Sequence, residues 1–392
     1  MKKKEVDEFF SDIYYKVTHQ SENDLSPFAT LSKDAVRRHP EPDDPRAPYA
    51  LDRDRILYSG AFRRYSGKTQ VIYFASQLDE MLTSRIMHTL SVAQVARTIG
   101  KFLRLNEELI EAIALSHDLG HSPFGHDGET VLSQICEDYG IGQYHHHIQS
   151  LHIVDRVAKK GRGLNLTLQV RDGILSHDGE VHNRKLKPNK NKTEDDLQEY
   201  IHTRKSGKYV DMMPMTLEGC VMRISDTVAY IGQDIEDAIR IGIIKRNDIP
   251  ADLRKQLGST NGEIMNTLIK DVIFNSYEKG YVSFGAEISG ALKKLKDFNY
   301  KKIYLNKNLK REYEKIIHGF EILFRLFLKD LKEGKKSSRI YKHFLKTKYK
   351  DYLDSTTDAE KVRDFIAGMT DRYYVEVLQD LTVPKMNLIG NS

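Results

Sequence analysis

Cysteine, tryptophan and long apolar runs are scarce or absent in this 392-residue chain, which has two cysteines and no tryptophan. Cys136 and Cys220 cannot build a disulfide framework or a zinc site ligated by several cysteines, so any bound metal ion must use histidine and carboxylate side chains. No apolar run approaches the ~18 residues of a membrane-spanning helix, and the N-terminal MKKKEVD lacks the apolar stretch of a secretion signal. We therefore expect a soluble, cytoplasmic protein with no membrane contact.

Proline and glycine are not enriched either, and 40% of the residues are apolar, as in an ordinary globular protein. The net charge of +5 is unevenly distributed. Residues 291–350 contain nineteen Lys or Arg and six Asp or Glu, so this segment alone carries +13. Two interpretations of the segment stay open: a solvated helical face, or a surface that binds polyphosphate or nucleic acid.

Helical periodicity dominates the chain. Apolar residues recur at spacings of three and four over residues 87–101, 108–119 and 309–331, which predicts three amphipathic helices. Alternating patterns are few, the best being residues 70–75, and residues 20–50 and 181–210 are expected to be irregular. We predict a mainly α fold with a partly irregular N-terminal extension (1–50), a helical core (51–240) and a basic helical C-terminal lobe (241–392).

Histidines and carboxylates cluster in the predicted core, where seven of the fifteen histidines lie between His88 and His147. An apolar helix runs into His117 and Asp118 and is then broken by glycine and proline, so this pair is expected at a helix end. The loosened backbone there allows an imidazole nitrogen and a carboxylate oxygen to reach one ion. A mixed nitrogen and oxygen site suits Mn, Fe, Co, Ni, Zn or Mg.

Two further segments carry polar groups at helical spacing. One places Arg85 three residues before His88, and the other places Asp226, Tyr230 and Asp234 at i, i+4 and i+8. An acid, a phenol and a second acid on an otherwise apolar helix are costly to bury unless a ligand or a metal ion satisfies them. The stripe is therefore predicted to contact a ligand or a metal ion.

The order of His88, His117-Asp118 and Asp226 resembles the H…HD…D signature of the HD-domain metal-dependent phosphohydrolases. Flanking motifs are similar to those of one subfamily, the deoxyguanosine triphosphate triphosphohydrolases, over about residues 50–375. These motifs are LDRDRI (51–56), AFRR (61–64), KTQV (68–71), HDLGHSPFGHDGE (117–129), GLNLT (163–167) and AGMTDRY (367–373). The chain departs from the family pattern at Asp127, where alanine is usual, and at His147, where asparagine is usual.

The resemblance implies an HD-domain helical core and an enzyme that cleaves dGTP, with other dNTPs as further substrates, into a deoxynucleoside and tripolyphosphate. The implied cofactor is a divalent metal ion, Mn²⁺, Mg²⁺ or another transition metal, bound by His88, His117, Asp118 and Asp226. The implied catalytic groups are His121, His126 and Glu129, with His126 the best proton donor and Glu129 orienting it. Which of them activates water stays open.

The resemblance also implies a set of substrate contacts. Arg85 would lie near the sugar and the α-phosphate, His146 near the phosphates, and Tyr230 and Asp234 against the deoxyribose. Gln70 and Arg53 are weaker predictions, because arginine-rich helices often form structural ion pairs instead.

Members of the family assemble as homo-oligomers, often hexamers, and some respond to dNTP effectors or single-stranded DNA, which the basic C-terminal lobe could bind. Two other functions stay open at this point. One is an HD-domain phosphodiesterase or nucleotidase that acts on other nucleotides. The other is a nucleic-acid-binding module with a degenerate HD core.

Overall fold

A computed structural model describes residue 13 and residues 22–42, 44–73, 81–178 and 183–384. The helices of the first half are α1 (Pro48–Leu57), α2 (Gly60–Arg63), α3 (Arg85–Phe102), α4 (Glu107–Ser116), α5 (Gly125–Asp138), α6 (His146–His152), α7 (Ala158–Gly161) and α8 (Leu168–Ser176). Those of the second half are α9 (Glu194–Lys205), α10 (Leu217–Arg240), α11 (Ala251–Leu257), α12 (Asn261–Ser276), α13 (Ala286–Asn299), α14 (Tyr313–Lys332), α15 (Arg339–His343), α16 (Lys350–Ser355), α17 (Asp358–Ala367) and α18 (Asp371–Thr382).

Extended structure is minor in the described residues. Two short strands, β1 (Lys185–Leu186) and β2 (Val282–Ser283), pair antiparallel, with Lys185 opposite Ser283. Short 3-10 turns occur at Ser32–Asp34, Arg64–Gly67, Arg246–Asp248 and Leu345–Thr347, and π-helical turns at Ile153–Val157 and Tyr300–Tyr304. The prediction of a mainly α fold is confirmed. No helix in this part of the chain is both long enough and apolar enough to cross a lipid bilayer.

The predicted helices at residues 87–101 and 108–119 correspond to α3 and α4. Helix α4 begins where the side chain of Asn106 accepts a hydrogen bond from the backbone of Leu109, and two glutamates stabilise its first turn. The predicted helix over 309–331 begins later, at Tyr313, because residues 309–312 form turns. Periodicity therefore located these helices, whereas their ends depend on capping.

Two predictions of local structure need correction. Residues 181–210 were expected to be irregular, but they include α9, which starts at a capping box formed by Thr193 and Asp196. Only Leu197 and Tyr200 of this helix are buried, too few apolar contacts to produce a periodic pattern. The best predicted strand, residues 70–75, forms bends and a turn as far as Tyr73, and its last two residues lie outside the described residues.

The apolar core consists of two main clusters. The first joins α1, α3, α4, α8 and α10 and also includes residues 244–303, which were predicted to belong to the C-terminal lobe. The second joins α5 to α14, α17 and α18. The packing therefore does not divide at residue 240, and the division into the three predicted segments stays a prediction. Both cysteines are buried and unbonded.

Candidate metal and substrate site

A cavity of about 490 Å³ is lined by residues of α3, α10 and the segment 296–310, among others. Among the residues that line it are Gln70, Arg85, His88, Asp118, His121, His126, Asp127, His146, His177, Asp178, Asp226, Tyr230, Asp234, Lys296, Asp297, Tyr300, Tyr304 and Lys310. Most of the residues predicted from sequence thus come together around one cavity. Arg53 does not line it, because its guanidinium pairs with Asp54 and Glu111.

The His117-Asp118 pair follows the last residue of α4, as the helix breakers predicted. The Nδ1 atom of His117 lies 2.7 Å from the carbonyl oxygen of Ala114, so this nitrogen donates and Nε2 presents its lone pair. His117 Nε2 is buried and has no hydrogen-bond partner. A buried lone pair without a partner is costly, and a metal ion would satisfy it.

Helices α3 and α10 bring the other two predicted metal ligands to this nitrogen. His88 Nε2 lies 3.0 Å from Asp226 Oδ1, which is 3.9 Å from His117 Nε2. The distance from His117 Nε2 to Asp118 Oδ2 is 3.3 Å. Neighbouring ligand atoms around one ion lie about 3 Å apart when each metal–ligand distance is about 2.1 Å. The four side chains therefore fit a divalent metal ion in both chemistry and spacing.

Arg85 and Asp118 form a buried ion pair at the edge of this group, with Nη1 of the arginine against Asp118 Oδ2. Burial alone would raise the pKa of Asp118, but the adjacent imidazoles and the guanidinium of Arg85 hold that pKa well below its usual value. Asp118 is therefore ionised, as metal binding requires. Nη2 of Arg85 is buried without a hydrogen-bond partner, which leaves one donor for a substrate oxygen.

Glu129 holds two imidazoles at the mouth of the cavity. Its Oε2 atom lies 3.1 Å from His126 Nδ1, and its Oε1 atom lies 2.9 Å from His146 Nδ1 and accepts a 2.6 Å bond from the His146 backbone. Burial opposes its ionisation, but the two histidines keep the pKa of Glu129 well below its usual value. The side chain of His126 is 60% exposed, so this imidazole can exchange protons with solvent.

His121 stacks on His146 with ring centroids 4.1 Å apart. A close backbone approach makes this possible: a Cβ atom on Gly120 would lie 2.2 Å from both the carbonyl oxygen of His146 and the backbone nitrogen of Ser150. Burial and then the nearby charge of Arg85 lower the pKa of His121 well below its usual value. His121 is therefore neutral, and its Nε2 donates towards Asp118 Oδ1 at 3.1 Å.

The polar stripe of α10 contacts the π-helical turn that follows α13. The hydroxyl of Tyr304 donates a 2.6 Å hydrogen bond to Asp234 Oδ2, and Tyr230 lines the same part of the cavity. Gln70 also reaches the cavity, and its buried Oε1 atom has no hydrogen-bond partner. These three predicted substrate contacts therefore line the same cavity.

Several lining residues were not predicted from sequence. His177 and Asp178 come from the end of α8, and the signal that could have found them is their Leu-Ser-His-Asp sequence, which repeats that of residues 115–118. Lys296, Asp297, Tyr300 and Tyr304 had no such signal, because they lie in a segment that shows only helical periodicity. His147, which replaces the family's asparagine, does not line the cavity and has its Nε2 atom 3.1 Å from the hydroxyl of Tyr200.

The fold and this histidine and aspartate cluster define an HD-domain protein. The family model described as "HD domain" matches residues 85–231, and that described as "Phosphohydrolase-associated domain" matches residues 282–380. The residues that match the HD-domain model include all four predicted metal ligands.

Curated relatives narrow the class. A deoxyguanosinetriphosphate triphosphohydrolase-like protein of Caldanaerobacter subterraneus is 39% identical over 97% of this chain and 96% of its own length. One from Clostridium perfringens is 37% identical over 92% of this chain and 95% of its own, and one from Clostridium tetani 36% identical over 92% and 94%. The chain belongs to the family of deoxyguanosinetriphosphate triphosphohydrolase-like proteins, which confirms the resemblance found in the sequence.

Proposed function

We propose that the protein is a metal-dependent deoxynucleoside triphosphate triphosphohydrolase. It cleaves dGTP, and other dNTPs as secondary substrates, between the 5′ oxygen and the α-phosphorus, and releases a deoxynucleoside and tripolyphosphate. The observation that carries the proposal is that three of the four proposed metal ligands, the imidazoles of His121, His126 and His146, and the polar stripe of α10 line a single cavity. The HD-domain match and the names of the relatives support the phosphohydrolase class.

His88, His117, Asp118 and Asp226 would hold the divalent ion, Mn²⁺ or Mg²⁺. When bound there, such an ion polarises an α-phosphate oxygen and lowers the pKa of a water molecule. The chain itself keeps the ligands ready: the Ala114 carbonyl fixes the tautomer of His117, and the charges around Asp118 keep that residue ionised. Arg85 then offers its unbonded Nη2 to the substrate.

Departure of the deoxynucleoside requires a proton, because an alkoxide is a poor leaving group. His126 is the proposed donor, since it faces both the cavity and solvent and Glu129 orients its ring. His121 is neutral and buried beside Asp118, so it is suited to contact the phosphates or to accept a proton. His146, held by Glu129, is the proposed second phosphate contact.

Tyr230 and Asp234 are the proposed contacts to the deoxyribose. A carboxyl oxygen of Asp234 would accept from the 3′-hydroxyl, and the ring of Tyr230 would fill the space that a 2′-hydroxyl needs. A hydroxyl pressed against this ring would be buried without a partner, which discriminates against ribonucleotides.

The test is to incubate the purified protein with each dNTP, alone and in mixtures, with Mn²⁺ or Mg²⁺, and to separate nucleoside from phosphate products. We expect tripolyphosphate to be released intact and the His117→Ala variant to lose both metal and activity. The matched control is His145→Ala, since His145 does not line the cavity and its Nε2 contacts the Arg204 carbonyl.

The same assay distinguishes this proposal from the two other candidate functions, a phosphodiesterase or nucleotidase and a nucleic-acid-binding module. Release of orthophosphate or pyrophosphate, or turnover of cyclic or monophosphate substrates alone, would replace this proposal by the phosphodiesterase or nucleotidase function. A folded His117→Ala variant that keeps any nucleic-acid-dependent activity without metal would favour the binding module.

The family resemblance supports three further proposals. We propose that the protein forms a homo-oligomer such as a hexamer, that residues 291–350 bind a dNTP effector or single-stranded DNA, and that the protein is cytoplasmic. Light scattering of the purified protein measures the oligomeric state with and without nucleotide.

A further inference from the structure

Two of the sequence motifs, KTQV (68–71) and AGMTDRY (367–373), meet in the structure, although 302 residues separate Thr69 from Asp371. Thr69 donates its backbone N–H, at 3.0 Å, and its hydroxyl to Oδ2 of Asp371. The two segments pack closely, since a Cβ atom on Gly67 would lie 2.8 Å from Cβ of Thr370. The start of α18 is therefore fixed to the segment that precedes α3.

The other oxygen of Asp371 holds the residue before α5. Oδ1 accepts a 3.1 Å hydrogen bond from the backbone N–H of Phe124, which has a left-handed conformation with φ 63°. Residues with a side chain rarely adopt this conformation, so surrounding contacts have to maintain it. Helix α5 begins at the next residue, Gly125, and carries His126 and Glu129. The carboxylate of Asp371 therefore fixes the start of the helix that carries both side chains.

Lys68 connects the end of α17 to His121. The Nζ atom of Lys68 donates to the carbonyl oxygen of His121 and, at 2.8 Å, to that of Ala367. Ala367 is the last residue of α17, so its carbonyl lies at the negative end of the helix dipole. Burial, and then the charges of Arg64 and Arg85, lower the pKa of Lys68 to about 7. A buried amine needs hydrogen-bond partners, and the two that Lys68 has join this helix end to the backbone of His121.

Arg85 is held by the same segment. The carbonyl oxygen of Thr69 accepts a 3.2 Å bond from Arg85 Nε, and the carbonyl oxygen of Lys68 accepts a 3.3 Å bond from the Arg85 backbone. The guanidinium that pairs with Asp118 is therefore oriented by the segment that Asp371 fixes.

We propose that Lys68 and Asp371 are positioning residues. They couple the turn between α17 and α18 to three groups of the proposed active site, Arg85, His121 and His126. Neither Lys68 nor Asp371 lines the cavity, so each acts through the groups that it holds. The role rests on the proposed function, because those groups belong to the proposed hydrolysis. A displacement of reacting groups by ~1 Å can lower a rate by about 10²-fold, even when the altered residue lies far from the chemistry.

Asp371→Asn and Lys68→Met each break one of these connections. The single acceptor oxygen of an amide cannot serve both Thr69 and Phe124, and methionine lacks the N–H donors of lysine. We expect kcat for dGTP with Mn²⁺ to fall by about 10- to 100-fold in each variant and KM to change by less than about threefold, since substrate still enters the cavity. Thr69→Val, which removes only the hydroxyl donor, should lower kcat less. Thr69→Ser, which keeps the hydroxyl, should retain the kcat of the unaltered protein.

Glu218→Gln is the matched control for Asp371→Asn. Glu218 is also buried and accepts from the same set of donors: the backbone N–H of Thr30 at 2.9 Å, the Thr30 hydroxyl at 2.8 Å and the backbone N–H of Asn106 at 3.1 Å. It does not line the cavity. We expect both variants to lower the melting temperature by similar amounts, whereas only Asp371→Asn lowers kcat. An equal loss of kcat in the two variants, or an Asp371→Asn protein with the kcat of the unaltered chain, would overturn the proposal.

Hydrogen exchange of the substrate-free protein, followed by mass spectrometry, gives a readout that does not depend on activity. The peptide that covers residues 119–128 should exchange faster in Asp371→Asn and Lys68→Met than in the unaltered protein, because the backbones of Phe124 and His121 lose their partners. It should not change in Glu218→Gln. An unaltered protein that hydrolyses no dNTP would contradict the proposed function, and faster exchange in the two variants would still support the coupling. Unchanged exchange in this peptide would overturn the coupling.

Discussion

The hydroxyl of Tyr304 donates a 2.6 Å hydrogen bond to Asp234 Oδ2. This bond connects the π-helical turn that follows α13 to α10, the helix that also carries Asp226. Burial raises the pKa of Asp234 to about 7, against the effect of this bond, and the charges of Asp237 and Asp226 act in the same direction as burial. A carboxyl group with this pKa is neutral in part near pH 7, so it can both donate to and accept from a sugar hydroxyl.

The Asp234→Asn variant tests this pKa through stability. In the unfolded chain Asp234 ionises near its ordinary pKa of 3.8, whereas the folded protein keeps the proton up to about pH 7. Ionisation therefore favours the unfolded state increasingly as the pH rises through this window, and Asn removes the effect while still accepting from Tyr304. Between pH 5 and pH 8 we expect the variant to gain roughly 2–3 kcal/mol in free energy of unfolding relative to the unaltered protein. Urea denaturation at both pH values measures it, and a difference that does not change with pH contradicts the shifted pKa.

Truncation of Tyr230 tests the choice between deoxyribose and ribose. If its ring fills the space of a 2′-hydroxyl, Tyr230→Ala should raise turnover of GTP more than it lowers turnover of dGTP. The ratio of kcat/KM for dGTP to kcat/KM for GTP should then fall by about tenfold or more. The matched control is Tyr300→Ala, which removes another aromatic ring from the wall of the same cavity. Equal losses on both nucleotides would show that Tyr230 has only a packing role.

The sequence predicted those parts of the site that depend on local pattern. Helix α4 and its break after Ser116 follow from apolar spacing and from the glycine and proline beyond it, so the position of His117 and Asp118 was readable. His177 was not predicted, although the Leu-Ser-His-Asp sequence that contains it repeats residues 115–118. Only tertiary packing shows that the ends of α4 and α8 meet. Arg53 does not line the cavity for the converse reason: its motif does not show that its guanidinium pairs with Asp54 of the same motif and with Glu111 of α4.

The Asp127 carboxylate, at a position where the family usually has alanine, lies against one cation of the cavity wall, Lys310. It pairs with Lys310 and accepts from the hydroxyl of Tyr73. The lysine side chain is 39% exposed, so the pair contributes about 1 kcal/mol or less to stability. We therefore expect Asp127→Ala to leave the melting temperature nearly unchanged and to lower KM for a triphosphate roughly three- to tenfold, since Lys310 is freed for an anion. Adding Lys310→Ala to Asp127→Ala should return KM to that of the unaltered protein. A KM that rises in Asp127→Ala would contradict the prediction that Asp127 withholds Lys310 from the substrate.

The basic segment 291–350 makes a prediction about salt. Most of its lysines are exposed, including Lys301 and Lys302, while Lys296 and Lys310 reach the cavity. If the segment binds single-stranded DNA, log Kd should rise with log salt with a slope of about 0.7 for each phosphate neutralised. Replacement of Lys301 and Lys302 by Glu should weaken binding and reduce that slope, whereas the same change at Lys187 and Lys190, exposed lysines outside the segment, should not. Salt-insensitive binding, or none, would leave these lysines as a solvated surface.

We propose that Glu129 influences the reaction by positioning the two imidazoles that it contacts. Its carboxylate receives His126 Nδ1, His146 Nδ1 and the His146 backbone at the same time, which an amide with one acceptor oxygen cannot do. Glu129→Gln should therefore reduce kcat by about 10- to 100-fold, the range seen when partners that orient a functional histidine are lost, with a smaller change in KM. Glu129→Asp, which keeps both oxygens, should recover part of the loss. Glu137→Gln on the same helix is the control, because Glu137 is exposed and bonds only to Gln143 among the contacts seen for its side chain. If Glu129→Gln raised KM alone and left kcat intact, the residue would serve substrate binding and not the orientation of His126.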